Sequence, residues 1–320
     1  MTNAFIFPGQ GSQAVGMGKL LAEEFPQAAA VFAEVDDALG QKLSTLMFEG
    51  PDAELTLTAN AQPALMAVSM AVMRVLEAEA GLDLARDAQF VAGHSLGEYS
   101  ALAAAGAFTL ADTARLLRLR GEAMQKAVPV GEGAMAAIIG LEFGPVAAVA
   151  TEAARQLHLE AAICQAANDN GGGQVVISGT KSAVEKAMEL AKAAGAKRAL
   201  LLPVSAPFHC ALMQPAAEAM AAALAKVNIS APRVPLVANV LAAPITDPAE
   251  IRQRLVEQVT GTVRWRECIA FMAAEGVTTF YEIGAGKVLS GLVKRIAETA
   301  AGVSVGTPAD IAAFKTARQG

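Results

Sequence analysis

The chain has 320 residues, a formal net charge of −6, and 54% hydrophobic against 18% charged residues. Because no run of about 18 apolar residues is free of charge or proline, the composition predicts a packed core without a membrane span, and the lack of a basic stripe argues against nucleic acid binding. Cys164, Cys210 and Cys268 are widely spaced and odd in number, which predicts no disulfide framework and no metal site, and suits a cytoplasmic protein.

Short apolar runs alternate with Ala- and Leu-rich amphipathic segments, which is the pattern of an α/β fold with a mainly parallel sheet. Ala4–Phe7 and Gln89–Ala92 predict buried strands. The segment between them, from Pro63 to Gly81, predicts a helix with proline in its first turn and glycine past its end. The first eleven residues lack the basic region of a secretory signal, so no targeting segment is expected.

The middle of the chain has a different pattern, in which three strand-like runs are separated by two helical segments. These runs are Gly133–Leu141, Ala161–Ala167 and Gln174–Ser178. They predict an inserted subdomain with boundaries near Val128 and Pro203, although the pattern alone also allows one continuous domain.

The sequence GHSLG at Gly93–Gly97 matches the turn in which a nucleophilic serine stands between a strand and a helix. Glycines are needed there because the turn strains the backbone and brings neighbouring segments close. A second match, GVSVG, contains Ser304, but it lies inside a strand-like run and lacks the following helix. Ser95 is therefore the predicted nucleophile, with a purely structural turn serine as the alternative.

A general base must accept the proton of the serine, and the chain has three histidines. His94 adjoins Ser95, so its side chain points away and a packing role is expected. His158 lies in an amphipathic segment and is interpreted as a surface residue. His209 follows a strand-like run in a loop before a helix, and is the predicted base; a helix-capping role is the alternative. Cys210 beside it is interpreted as a buried hydrophobic residue.

Residues 109–128 predict a helix that opens with a capping box. Two of its arginines have an acid at helical spacing: Arg115 with Asp112, and Arg118 with Glu122. Arg120 has apolar residues at all four neighbouring helical positions, so it needs an acid from elsewhere. That acid could belong to a substrate, since guanidinium binds carboxylate with two hydrogen bonds, or to the protein core.

The sequence PGQGSQ after the first strand predicts a glycine turn whose N–H groups can face an anion or a developing oxyanion. Gly9, Gly11 and Ala14 also fit the loose dinucleotide fingerprint, with Asp36 or Asp37 as a ribose-binding acid. These acids lie in a helical segment and not at a strand end, which disfavours a dehydrogenase.

Six motifs together identify a resemblance: PGQGSQ, GHSLGEYSAL, the RG pair at Arg120, NDNGGGQVVISG, VSAPFHCALM and EIGAGKVLSGLVKR. In this order, and over nearly the whole chain, they resemble malonyl-CoA:acyl carrier protein transacylases of bacterial fatty acid synthesis. The resemblance implies an α/β-hydrolase-like large domain, residues 1–127 and 203–320, with an inserted ferredoxin-like small subdomain, residues 128–202.

The resemblance also implies a ping-pong transfer, without a cofactor, from malonyl-CoA to acyl carrier protein through a malonyl-serine intermediate. By this likeness Ser95 is the nucleophile and His209 the base. The backbone N–H groups of Gln10 and Leu96 form the oxyanion hole. The backbone carbonyl of Gln258 orients the histidine, so that no acid is needed. A monomer is expected.

The likeness further assigns Arg120 to the malonyl carboxylate, and Phe208, just before the histidine, agrees with a preference for malonyl. Departures from the family pattern are small: GAGK stands where GPGK is common, and NDNGGG lacks a proline before its last glycine. Two other functions remain open. An esterase would have the same serine and histidine, and a catalytically silent carrier-protein-binding module would have lost them.

Overall fold

The structure of the chain is a computed structural model that describes residues 2–157, 162–204 and 206–319. Over these residues the chain forms ten strands in two sheets. The strands are β1 (Asn3–Phe7), β2 (Phe90–Gly93), β3 (Gly133–Ile139), β4 (Cys164–Asp169), β5 (Gln174–Thr180), β6 (Arg198–Leu201), β7 (Leu236–Ala238), β8 (Ala243–Ile245), β9 (Thr279–Ile283) and β10 (Ala301–Val305).

Helices connect these strands and cover the sheets. They are α1 (Lys19–Glu24), α2 (Pro26–Leu39), α3 (Leu43–Glu49), α4 (Asp52–Leu55), α5 (Thr58–Ala80), α6 (Leu84–Asp87), α7 (Gly97–Ala104), α8 (Leu110–Ala127), α9 (Phe143–Gln156), α10 (Lys181–Ala193), α11 (Gln214–Leu224), α12 (Pro248–Thr260), α13 (Trp265–Ala274), α14 (Val288–Ile296) and α15 (Pro308–Gln319), with one 3₁₀ turn at Ala211–Met213. Among the described residues, none of these helices has both the length and the apolar composition to cross a membrane.

The larger sheet has six strands in the order β10-β9-β1-β2-β7-β8, all parallel except β8. Alternate residues of β1 point to opposite faces, so that Phe5 and Phe7 belong to one hydrophobic core and Ala4 and Ile6 to the other. Both faces are therefore covered, as expected for the predicted α/β class. The carboxyl ends of the parallel strands share one edge, which is where ligands bind in such sheets.

The smaller sheet has four antiparallel strands in the order β4-β5-β3-β6, and α9 and α10 supply its own core with Ala136 and Ile138. The chain order of these elements, βαββαβ, is that of a ferredoxin-like unit. The expected middle strand began at Ala161, which lies outside the described residues. We propose that residues 128–202, which contain this sheet, form a subdomain inserted into a large domain of residues 1–127 and 203–320.

Helix α5 begins earlier than the sequence suggests. The expected start placed Pro63 in the first turn, but the helix starts at Thr58. The reason is tertiary packing against α8, where a Cβ on Gly121 would lie 2.6 Å from both the Cα of Ala59 and the carbonyl oxygen of Thr58. This close approach holds an extra helical turn before the proline.

Candidate active site

Ser95 stands on a sharp turn between β2 and α7. Its φ is 53°, in the left-handed region that non-glycine residues rarely adopt. A Cβ on Gly93 would lie 1.9 Å from the carbonyl carbon of Gly97, and a Cβ on Gly97 would lie 2.3 Å from the carbonyl oxygen of Phe7. The turn therefore requires glycine at both positions, which is the physical content of the G-x-S-x-G pattern.

The structure brings Ser95, His209 and Gln258 together in one hydrogen-bonded line. The Oγ of Ser95 lies 2.8 Å from Nε2 of His209, and Nδ1 of His209 lies 2.8 Å from the backbone carbonyl oxygen of Gln258. Because a carbonyl can only accept, Nδ1 carries the hydrogen and Nε2 of the neutral ring is free to accept the serine proton. This arrangement needs no acidic residue.

The environment of His209 keeps its ring neutral. Burial, together with the positive charge of Arg120, lowers the pKa of His209 to about 3. A histidine with so low a pKa is unprotonated at neutral pH and can act as a base. Its φ of 58° shows that its backbone is also held in an unfavourable conformation.

Arg120 is almost fully buried, with 1% of its surface exposed, and lies beside the serine. Its guanidinium donates to the side-chain oxygen of Gln62 at 2.9 Å and to that of Gln258 at 2.8 Å. It also approaches Oγ of Ser95 at 3.1 Å and lies over the ring of Tyr99, 5.8 Å from the centroid. All its contacts on the described residues are therefore with neutral groups.

This set of contacts leaves the charge of Arg120 without a direct counter-ion. No carboxylate among the described residues forms an ion pair with Arg120, and its Nε–H makes no hydrogen bond there. Burial lowers the pKa of Arg120, but guanidinium remains charged in proteins. A buried cation whose partners are all neutral, and whose Nη2 lies beside the serine, can bind an anionic group there.

Gln10 and Leu96 line the same cavity, which has a volume of about 680 Å³ and also includes Ser95, Arg120, Phe208 and His209. In the part of the chain that is described, the backbone N–H groups of Gln10 and Leu96 donate to no protein acceptor. The N–H of Ser95, in contrast, donates to Oδ1 of Asn239 at 2.9 Å. Two free N–H groups beside a nucleophile are what an oxyanion hole requires.

The comparisons with known proteins agree with this geometry. The model of the acyl transferase domain family matches residues 4–311. The chain belongs to this acyl transferase family. The malonyl CoA-acyl carrier protein transacylase of Bacillus subtilis strain 168 is 50% identical over 308 residues, which are 96% of this chain and 94% of the relative.

Solved structures show the same relationship. The crystal structure of an acyl-carrier-protein-S-malonyltransferase from Bartonella henselae is 60% identical, has a TM-score of 0.96 and aligns over 100% of both chains. A further structure, of a type II PKS acyl-carrier protein in complex with its malonyl-transacylase, is 44% identical with a TM-score of 0.94, over 99% of this chain and 100% of that one. The acyl transferase fold is thus shared over the full length.

The remaining candidates of this acyl transferase lie apart from the reacting groups or serve packing. Nε2 of His94 contacts Oδ1 of Asn170 at 2.9 Å and its ring packs against Trp265, so the expected packing role is confirmed. Ser304 lies inside β10, as expected. His158 lies outside the described residues.

The dinucleotide alternative is wrong for this fold. Asp36 lies on α2, and its carboxylate accepts hydrogen bonds from the backbone N–H and the hydroxyl of Ser44 at 2.9 and 2.7 Å. The glycine turn that resembled the fingerprint, Gly9–Gly11, lines the cavity of the serine.

The expected surface partners of α8 are only partly correct. Arg115 contacts the acid three residues before it, at 3.4 Å, as expected. Arg118 donates to Oδ1 of Asn60 and to Oε1 of Gln41, both at 2.7 Å, and not to Glu122. Burial lowers the pKa of Arg118 and the charge of Glu122 opposes this, so Glu122 acts on Arg118 only through its charge. The early start of α5 explains the difference, because it brings Asn60 next to α8.

Three residues at the site were missed from the sequence: Gln62, Asn239 and Glu98. Glu98 is 1% exposed, and its two oxygens accept from the backbone N–H of Asn239 and from Nε2 of Gln258. Burial raises the pKa of Glu98 to about 8, while these two hydrogen bonds and the charge of Arg120 oppose the rise. The only signal was its place one helical turn after Ser95, which does not reveal burial.

Proposed function

We propose that this chain transfers a malonyl group from malonyl-CoA to the phosphopantetheine thiol of acyl carrier protein and thereby supplies extender units for fatty acid synthesis. The single observation that carries the proposal is the buried guanidinium of Arg120, 3.1 Å from Oγ of Ser95 and without an ion-pair partner among the described residues. A malonyl group differs from an acetyl group by one carboxylate, which such a guanidinium can bind. The transacylases and the carrier-protein complex among the relatives support the same substrates.

In the proposed first half-reaction, Oγ of Ser95 attacks the thioester carbonyl carbon while its proton passes to Nε2 of His209. The carbonyl oxygen becomes an oxyanion and accepts hydrogen bonds from the N–H groups of Gln10 and Leu96. Collapse of this intermediate breaks the carbon–sulfur bond, and the departing thiolate of coenzyme A takes the proton from His209. A malonyl ester on the serine remains.

The second half-reaction reverses these roles. The thiol of the carrier protein gives its proton to His209 and attacks the ester carbonyl. The new oxyanion occupies the same hole, the ester bond to Ser95 breaks, and Oγ recovers the proton from the histidine. Throughout both steps Arg120 holds the distal carboxylate, and the backbone carbonyl of Gln258 keeps the ring of His209 oriented.

Intact mass spectrometry after mixing with malonyl-CoA tests this proposal. The wild-type protein should gain one malonyl group, and carrier protein should remove it faster than water does. Ser95→Ala should remain unmodified. Removal by water as fast as by the carrier thiol would make the chain an esterase, and a wild-type protein without modification would make it a silent binding module.

We further propose that the protein works in the cytoplasm as a monomer, without a metal or other cofactor and without binding nucleic acid. The three cysteines are free and buried, which suits a reducing compartment. Among the described residues no cluster of three or more His, Cys, Asp or Glu could hold a metal ion. Light scattering in solution tests the monomer, and a dimer mass would contradict it.

A further inference from the structure

Glu98 is a buried carboxyl group that lies behind the reacting residues and not in the cavity. It is one helical turn after Ser95, is 1% exposed, and is not among the residues that line the cavity. Burying a carboxyl group is unfavourable unless its hydrogen-bonding capacity is used. Its neighbours therefore indicate its role.

The orientation of the Gln258 side-chain amide is determined by Arg120. Guanidinium can only donate hydrogen bonds, so the amide oxygen of Gln258 faces Arg120, at 2.8 Å. The amide nitrogen then faces the other way, toward the backbone oxygen of Ser95 at 2.8 Å and toward Glu98. Glu98 must accept this hydrogen bond.

The second oxygen of Glu98 also faces a donor, the backbone N–H of Asn239. The side-chain amide of Asn239 in turn accepts from the N–H of Ser95 at 2.9 Å and donates to the carbonyl oxygen of Gly93 at 2.8 Å. Thus both oxygens of Glu98 accept, as the two oxygens of a carboxylate do. Both of its partners contact the backbone on which the serine stands.

We propose that Glu98 is a positioning residue for acyl transfer, whose carboxylate holds the Gln258 amide and through it aligns Arg120, the serine backbone and the carbonyl that orients His209. The inference deepens the proposed function and rests on it for the role of Arg120.

The isosteric change Glu98→Gln tests the hydrogen-bond pattern. The backbone N–H of Asn239 cannot turn away, so the new amide oxygen faces it and the new NH₂ group faces Nε2 of Gln258. Two donors then oppose each other. If the Gln258 amide flips to avoid this, its NH₂ group opposes the donors of Arg120. Either arrangement disturbs the site without changing the volume of the side chain.

Two rates are measured at about pH 8.5, above the pKa of Glu98 of about 8. The first is kcat/KM for malonyl transfer, and the second is the rate at which phenylmethylsulfonyl fluoride modifies Ser95. We expect Glu98→Gln to lower both by about 10- to 100-fold. The matched control is Asp36→Asn, another buried acid that accepts two hydrogen bonds but lies on α2, and both rates should stay within about twofold.

A double-mutant cycle with Gln258→Ala separates positioning from a general structural role. Gln258→Ala removes the amide but keeps the backbone carbonyl that contacts His209. If Glu98 acts through the amide, adding Glu98→Gln to Gln258→Ala should lower each rate by less than a further factor of about two. The same loss in both backgrounds would overturn the proposal, because a general structural role does not depend on the amide.

The double variant Glu98→Gln with Gln258→Ala keeps the test decisive if Glu98→Gln does not fold. In it no amide stands at position 258, so the new NH₂ group at position 98 no longer opposes a donor of that residue. Circular dichroism should show a folded protein, and Ser95 should be sulfonylated within about twofold of the rate in Gln258→Ala. An unfolded double variant beside a folded Gln258→Ala protein would contradict the inference. The wild type could react with the sulfonyl fluoride, and the variants could show the expected sulfonylation rates, while malonyl-CoA does not modify Ser95. In that case the proposed function fails and the role of Glu98 stands.

Discussion

Arg120 carries a positive charge with only 1% of its surface exposed, and its nearest partners are neutral amides and the serine. Loss of a buried charge-assisted hydrogen bond typically costs a few kcal/mol, so Arg120→Ala should lower kcat/KM for malonyl-CoA by roughly two orders of magnitude or more. Acetyl-CoA has no free carboxylate, so its transfer should be unchanged or faster. The two kcat/KM values measured side by side check this.

The control for that prediction is Arg118→Ala, which removes a half-buried arginine from the same helix but not from the cavity. This variant should change kcat/KM for malonyl-CoA and for acetyl-CoA by no more than about twofold each. If a folded Arg120→Ala protein loses malonyl and acetyl transfer in equal proportion, Arg120 has a structural role and does not select the substrate.

Among the described residues, His209 is the only histidine whose side chain hydrogen-bonds to Ser95. His209→Ala should therefore slow acylation of the serine by about 10³- to 10⁴-fold, as removal of the base from an acyl-transfer pair does, while folding survives. Rapid-quench measurement of malonyl-enzyme formation gives the rate, and circular dichroism checks the fold. Acylation within tenfold of the wild-type rate would end the assignment.

The pH dependence of serine reactivity tests the environment of His209. A lowered pKa of about 3 leaves the ring neutral at every pH well above that value. In Glu98→Gln, where residue 98 no longer titrates, sulfonylation should vary by less than about twofold between about pH 5 and 7. Burial raises the pKa of Tyr99 above its ordinary value near 10, so Tyr99 should add no titration in this range.

If the base had an ordinary pKa near 6.5, the sulfonylation rate would instead fall by roughly 20-fold from pH 7 to pH 5. Such a loss would show that His209 is more solvated than the structure indicates. In the wild type, a change near pH 8 that is absent from Glu98→Gln would belong to Glu98, whose pKa is about 8.

The sequence predicted the reacting residues better than the residues that hold them. Ser95 and His209 are recognisable because their chemistry restricts residue type, and Arg120 because it lacks a partner on its own helix. Glutamine is not a residue type that indicates catalysis, and Gln62 is 58 residues from Arg120 along the chain. Partners that meet only in the folded chain leave no local signal.

At the scale of elements, the packing of α8 on α5 controls where the buried arginine stands. A Cβ on Gly121 would lie 2.6 Å from backbone atoms of Ala59 and Thr58, and backbone cannot move aside as a flexible side chain can. Gly121→Ala should therefore lower the free energy of unfolding by about 1–3 kcal/mol. Chemical denaturation with urea measures the change.

Gly144→Ala in α9 provides the matched control. A Cβ there meets nothing within 4 Å, so the change should be neutral or raise the free energy of unfolding by about 0.4–1 kcal/mol. If both glycine variants change stability equally, the close approach of α8 and α5 is not what requires glycine at position 121.

The same contact explains why element boundaries were harder to predict than element types. The predicted strands at Ala4–Phe7 and Gln89–Ala92 are confirmed to within one residue. The start of α5 was wrong because proline is a strong local signal for a first turn, whereas Gly121 acts from another helix. Local propensity cannot account for such tertiary packing.

On the scale of the whole molecule, the site assembles where the carboxyl ends of parallel strands meet. Gln10 follows β1, Ser95 follows β2 and Asn239 follows β7, and these three strands are neighbours in the larger sheet. The α/β class could be read from alternating segments, and it implied a site at this edge. The order of the strands in the sheet could not be predicted, because the pairing of distant segments is not encoded in any local pattern.

The second sheet contributes a wall of the cavity through Asn168 of β4 and Asn170, which follows this strand. Between these two, Asp169 is 3% exposed and forms an ion pair at 2.8 Å with Arg266 of α13, which packs on the larger sheet. Arg266→Ala would leave a buried carboxylate poorly paired. We expect the free energy of unfolding to fall by about 1–3 kcal/mol.

The kinetic consequence of Arg266→Ala follows from where its partner lies. The wall carrying Asn168 and Asn170 should become less well placed, so KM for malonyl-CoA should rise. Ser95 and His209 hydrogen-bond to each other and to Gln258, not to Asn168 or Asn170, so kcat should change less than KM. The control is Arg155→Ala, whose ion pair lies on the surface of α9 and should contribute less than about 0.5 kcal/mol. A fall in kcat at unchanged KM, or equal destabilisation by both variants, would show that this ion pair does not hold the two sheets in register around the cavity.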